Sequence, residues 1–259
     1  MKNKYIKFLI ILNGTLLPIL LFFALFNIVK DAFRNKENSY YNGGVIVGQE
    51  LETAKQDSVA LQGLKYYSPN ELYNSENKYL PISLLTYEEE KAIYKAASVA
   101  NDIGDGLLKY VNVIFLDEKY QVIGSLLDRK ASILSIEPQN KSNGYDNKEL
   151  DTTVNLIAYL IAFEDSNKDG KLNSGDEHDL FISDLSGKKL TKVTEGIDVE
   201  RFNFINSNSK IFIKYTDRNK IRDEHKKQKF AIYDIKNRKF LNLSSLDKEL
   251  DKLEEIIIN

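Results

Sequence analysis

The longest apolar run comes first. From Phe8 to Val29 the chain reads FLIILNGTLLPILLFFALFNIV, 22 residues without a charge, which at about 1.5 Å per residue is enough to cross a hydrocarbon core of roughly 30 Å. A cleaved signal peptide needs a shorter apolar stretch and a small-x-small site, and the following NIVKDAF provides none. The pattern therefore predicts residues 1–30 as an N-terminal flank and transmembrane signal anchor, residues 31–44 as a polar, glycine-bearing linker, and residues 45–259 as a folded body. Within that body, the capping box of Thr86 and Glu89 precedes apolar positions at Ile93, Ala96, Ala97, Ala100 and Ile103, and Gly104 follows. Together they predict a helix near 86–103. The runs YVNVIFLD, QVIGSLLD, ASILSIEP, LIAYLIAFED, DLFISDL, KLTKVT, RFNFIN, KIFIKYTD, FAIYDI and FLNLS are short, β-branched or aromatic, and bounded by turn residues, as strands of antiparallel meanders are. Leu246, Leu250, Leu253 and Ile257 recur at helical spacing near the end and predict a C-terminal helix that packs on the core or meets a partner. The expected fold class is mainly β with minor α: a transmembrane helix, then antiparallel β meanders with two helices.

A repeat is visible among the strands. AFEDSNKDGKLNSGDEHDLFISDLSGKKLTKVT can be laid over KYTDRNKIRDEHKKQKFAIYDIKNRKFLNLS so that Asp165 falls on Asp217, Asn167 on Asn219, Asp184 on Asp234 and Leu190 on Phe240; the period is about 50 residues. Each copy is a strand, a polar excursion, a strand ending in Asp-hydrophobic, a turn and a closing strand. Over about 155–245 this pattern resembles the blades of TolB-like propellers, a resemblance that implies a recognition scaffold. A closed propeller needs about 4 to 8 blades, and the chain has strands for two to three. The expected arrangement is two to three propeller-blade-like units in an open sheet or sandwich.

Composition changes the picture in three places. Thirty-six basic against 38 acidic residues leave a net charge of -2, so the chain as a whole has no attraction for nucleic acid. The absence of cysteine excludes disulfides, thiol catalysis and cysteine-bound zinc. Lys2, Lys4 and Lys7 before the span balance Lys30, Arg34 and Lys36 after it. The short N-terminal flank and its amine then favour a single-pass protein of the inner (cytoplasmic) membrane with the C-terminal domain outside the cytoplasm.

The stretch DSNKDGKLNSGDEHD, residues 165–179, carries the clearest chemical signal. Asp165, Asn167, Asp169, Gly170, Leu172 and Asp176 fit D-x-[DN]-x-[DN]-G-x-[ILV]-x-x-x-[DE], which resembles the calcium loops of EF-hands and, with Asp in last place, those of dockerins. Calcium takes about six to eight oxygens. The resemblance implies Asp165, Asn167, Asp169, the Lys171 carbonyl, Asn173 and Asp176 as its metal ligands. No helix pair flanks the loop, so a structural clip is expected instead of a sensor. His178 and His225 lie in identical Asp-Glu-His tripeptides; duplication explains the coincidence, and a His/carboxylate metal site is the other reading. Serine-hydrolase elbows, zinc-helix motifs and phosphate-binding glycine loops are absent from the sequence, and no catalytic residue is assigned. The expected function is a membrane-anchored extracytoplasmic binding or scaffold protein stiffened by calcium, meeting a protein partner through its β-rich domain or C-terminal helix. The alternative is a cell-envelope hydrolase using a carboxylate pair, which a deep pocket holding two acids of shifted proton affinity would reveal.

Overall fold

Strand β8 (Leu156–Ala162) explains the architecture. All seven of its residues are buried, which is why its sequence, LIAYLIA, is apolar without alternation: a strand covered on both faces gains from an apolar side chain at every position. Leu156, Ala158 and Leu160 enter one core, with Leu180, Val199, Phe202, Ile211, Ile213, Tyr215, Ala231 and Tyr233. Ile157, Tyr159 and Ile161 enter another, with Val113, Phe115, Leu126, Leu127, Ala131, Ile133 and Phe181. Each large apolar side chain so buried contributes about 1.5–3 kcal/mol.

The computed structural model describes residues 44–49, 51–52, 62–72, 74–86, 110–139, 155–218 and 228–258. All lie in the second of two units into which the chain divides, Met1–Tyr41 and Asn42–Asn259. The strands form three successive four-stranded antiparallel meanders. The first is β2 (Gln62–Tyr66), β4 (Lys78–Thr86), β5 (Tyr110–Leu116) and β6 (Val122–Ser125), with the short β3 (Asn70–Glu71) beside β4. The second is β7 (Ser132–Pro138), β8, β10 (Asp179–Asp184) and β11 (Thr191–Lys192). A pairing of Tyr110 with Ile133 joins it to the first in one nine-stranded sheet. The third, β12 (Ile197–Ile205), β13 (Lys210–Asp217), β14 (Lys229–Asp234) and β15 (Lys239–Asn242), is a separate sheet. It packs on the β8 and β10 side chains through the first core. Two residues of β1 (Val45–Ile46) pair with β9 (Lys171–Leu172), and helix α1 (Ser244–Ile258) follows β15.

The third-to-fourth-strand turn is built around an aspartate in every meander. Asp117 Oδ1 accepts the N–H of Lys119 at 2.9 Å and of Gln121 at 2.8 Å. Asp184 Oδ1 accepts those of Ser186 and Lys188, both at 3.0 Å. Tyr120 and Gly187, each three residues after its aspartate, both have positive φ, 59° and 76°. Asp234 Oδ1 accepts the Asn237 N–H at 2.9 Å, and the positive φ falls one residue later, at Arg238. Burial alone would raise the Asp184 pKa, but the hydrogen bonds from the Ser186 hydroxyl and the Ser186 and Lys188 amides outweigh it and hold the group below the usual carboxylate range. A depressed folded pKa stabilises above the unfolded value and is lost as pH falls through the folded one. Asp184→Ala is therefore expected to cost about 1 kcal/mol at neutral pH, solvent screening included. In urea titrations that difference should close in strong acid; a difference constant with pH would show that the carboxylate charge is not what holds the turn.

Several expectations are corrected. Among the described residues no helix is long and apolar enough to cross a membrane. Helix α1, 15 residues and hence about 22 Å long, is too short and carries Asp, Glu and Lys along its length. Phe8–Val29 lies outside the described residues, so the fold described here is a mainly β body with a C-terminal helix. The single-pass membrane localisation built on that span is not retained. Thr86, expected as a helix cap, ends strand β4, and the rest of the expected 86–103 helix lies outside the described residues. The two aligned segments share a strand order, but in a different register from the one expected. Asp184 faces Leu156 and Asp179 faces Ile161, while Asp234 faces Lys210 and Lys229 faces Tyr215. The equivalent of Asp217 is therefore Phe163, not Asp165: Asp217 ends a strand, while Asp165 sits in the loop beyond one.

Candidate metal loop

The connection between β8 and β10 holds all six candidate ligands. Its shape follows from side chains that capture nearby amides. Asn167 Oδ1 accepts the Asp169 N–H at 2.9 Å, Asp169 Oδ1 the Lys171 N–H at 3.0 Å, and Asn173 Oδ1 the Gly175 N–H at 2.6 Å. Each is a bond to the residue two places on, the local closure that Asp and Asn favour in turns. Positive φ at Lys168 and Gly170, 59° and 80°, turns the chain between them. The carboxylate of Asp165 reaches forward to the amides of Asp169 at 3.1 Å and Gly170 at 2.9 Å.

Asp176 closes the ring. It is 4% exposed, and its Oδ1 accepts the Ser166 N–H at 2.8 Å while Oδ2 accepts that of Asn173 at 2.8 Å. One carboxylate thus ties the start of the loop to its end. Asn173 is fully buried, and its Nδ2 donates to Asp169 Oδ2 at 3.4 Å. Gly175 fits because a β-carbon there would lie 2.9 Å from Asn167 Nδ2 and 3.0 Å from Asn173 Oδ1.

The far side of the loop is clamped to β1. Val47 N–H donates to the Gly170 carbonyl at 2.9 Å, in register with the Val45–Leu172 and Ile46–Lys171 pairs. In an antiparallel ladder alternate residues direct both backbone groups away from the partner strand. Lys171 is such a residue: its N–H turns back to Asp169, and its carbonyl faces the same, loop side. Leu172, 3% exposed, anchors the segment. A β-carbon on Gly44 would overlap the Leu172 carbonyl, so only glycine lets β1 approach this closely. Gln62 holds β1 from its other edge, donating to the Gly44 carbonyl at 2.6 Å.

The donors are carboxylate, amide and carbonyl oxygens, a set suited to a hard cation and unsuited to zinc or copper. Among the described residues no group of three or more His, Cys, Asp or Glu side chains pools as a metal-holding cluster. The three aspartates are instead spread around the loop's amides: Asp176 Oδ1 accepts from the Ser166 N–H and hydroxyl and the Asn167 N–H at 2.8, 3.2 and 3.5 Å, whereas the Asp165 and Asp169 oxygens and Asp176 Oδ2 each accept a single bond and keep a second lone-pair direction. No protein-family model matches the chain, and no curated protein is significantly similar to it. The loop must be judged on its own chemistry.

His178 is 2% exposed at the end of the loop, where its N–H bonds Asp198 Oδ1 at 2.9 Å. Asp223, Glu224 and His225 lie outside the described residues, so the structure does not place the two histidines together. An ionic cluster not expected from the sequence sits beside His178. Arg218 Nη2 lies 3.0 Å from Asp179 Oδ1 and Arg218 Nε lies 3.4 Å from Glu177 Oε2; Lys192 Nζ lies 2.8 Å from Asp179 Oδ2. Arg218 Nε and Nη2 are close enough for ionic attraction but too poorly aligned for hydrogen bonds, which makes these contacts ion pairs. They tie the end of β13 to the start of β10 across the two sheets, and no local sequence pattern links residues that far apart. The described carboxyls with displaced proton affinity lie on separate elements: burial raises Glu137 on β7, and turn amides lower Asp184 and Asp234.

Proposed function

We propose that this chain is a β-meander scaffold for binding a protein partner, in which the 165–176 loop holds one calcium ion as a structural clip. Asp165, Asn167, Asp169, the Lys171 carbonyl, Asn173 and Asp176 would hold it. The observation that carries the reading is the ring closed by Asp176, whose two oxygens grip both ends of a loop lined by oxygen donors. The ion would supply two positive charges against three carboxylates. Because β9 lies within the loop and pairs with β1, stiffening the loop also fixes where the chain enters the β body. The recognition role rests on the resemblance of the meanders to TolB-like blades. Equilibrium dialysis of metal-stripped protein against radioactive calcium tests the clip: one ion per chain is expected, with Asp165→Ala and Asp169→Ala each removing it. Retention of no calcium by the wild-type chain at millimolar concentration would end the proposal.

A further inference from the structure

We infer that α1 is a docking element for a partner protein presenting an amphipathic helix with basic flanks. The helix is held to the body through its first turn. Just before it the Leu243 N–H donates to the Phe230 carbonyl of β14 at 2.9 Å, and in the first turn Asp247 Oδ1 accepts the Phe230 N–H at 3.3 Å. From Lys248 to Ile257 every residue is exposed. Leu250 and Leu253 are 38% and 43% exposed, Ile256 and Ile257 75% and 78%. Leu246, Leu250, Leu253 and Ile257 follow the i, i+4, i+7, i+11 spacing of a recognition helix, and at 3.6 residues per turn they share an arc of about 60°. This apolar stripe is wasted in water unless another surface covers it.

Charge decides which surface. Over residues 244–258 the helix carries five acidic residues against two lysines; at the same helical pitch Glu254 borders the stripe on one side, next to Asp247, whose carboxylate is taken up by the body, and Glu249 borders it on the other. Lys248 and Lys252 lie farther round, and Lys252 is engaged with Glu249 at 3.0 Å. The last turn contains no basic residue although Glu254 and Glu255 lie at the negative end of the helix dipole. A second copy of α1 would set acidic flank against acidic flank in either orientation, at a cost. Lysines or arginines beside an apolar seam relieve both the flank repulsion and the dipole end.

The experiment uses the full chain and two synthetic helical peptides with identical leucine seams, one flanked by lysine and one by glutamate, with binding read by fluorescence anisotropy. The lysine peptide is expected to bind at least about tenfold more tightly than its glutamate twin. The exposed-site double variant Leu250→Ser/Leu253→Ser should lose that binding while melting at the same temperature as wild type. Glu249→Lys/Glu254→Lys should transfer the preference to the glutamate peptide. Equal binding of the twins would overturn the inference, as would binding that survives the serine double variant. So would a dimer of the protein alone, seen by sedimentation and abolished by the serine pair, since the covering surface would then be a second copy.

Discussion

Gly187→Ala should destabilise the protein by about 3–4 kcal/mol. Two costs combine. Gly187 has a φ of 76°, where a side chain costs about 1–2 kcal/mol. A β-carbon there would also overlap the ring of Phe115, which is fully buried in the second core, and overpacking a tight core costs about 1–3 kcal/mol more. Two other glycines separate these terms. Gly196 has a φ of 70° with nothing within 4 Å of a β-carbon, and Gly124 has open space and no positive φ. Urea unfolding should rank Gly124→Ala as near neutral, Gly196→Ala as costing only the backbone term, and Gly187→Ala as clearly worst. If Gly187→Ala cost no more than Gly196→Ala, the turn would not sit on Phe115 as described.

Calcium should raise the melting temperature of metal-stripped protein, and magnesium should do so much less. At free calcium about 100 times the dissociation constant, binding to the native state alone adds about 2.7 kcal/mol. In a chain of this size that is a shift of roughly 5–10 °C. Magnesium is the right control because it prefers about 2.1 Å octahedral geometry and sheds water reluctantly, whereas calcium accepts a looser ring of mixed oxygens. Asp165→Ala and Asp169→Ala are expected to abolish the calcium shift. The same melts with excess chelator give the counter-test: identical curves with and without calcium would leave the loop a polar turn held by its own amides, as Asn167, Asp169 and Asn173 already hold it.

The loop and the meanders were legible for a local reason. Aspartate and asparagine that grip amides two residues on encode their geometry within a few positions, so the spacing of Asp165, Asn167, Asp169 and Asn173 could be read directly. What could not be read was where their oxygens turn. The N–H groups of Ser166, Gly170 and Asn173 each take an oxygen of Asp176 or Asp165. The same limit produced the shifted repeat. Asp165 and Asp217 match as letters, but strand register comes from which residues face each other, and that pairs Asp217's place with Phe163. The turn of the first meander, at Asp117, escaped notice because Tyr120 takes the positive φ where glycine would have signalled it.

The amino-acid sequence by itself determined the β-rich character, the aspartate-led turns, the C-terminal helix and the twelve-residue oxygen loop, because each depends on neighbours along the chain. Only the tertiary structure decided that β8 is the wall between two cores, that Gly187 lies against Phe115, and that Arg218 joins Glu177 and Asp179. It alone put β1 beside β9, with Gly44 tight against the loop. Those are contacts between residues tens of positions apart, settled by how apolar faces are covered and not by any local pattern. The helix shows the division most plainly: its stripe of Leu246, Leu250, Leu253 and Ile257 is written in the spacing, but a stripe that packs inward and one left to solvent have the same letters, and only the folded body decides that Leu250 and Leu253 stay 38% and 43% exposed and Ile257 78%.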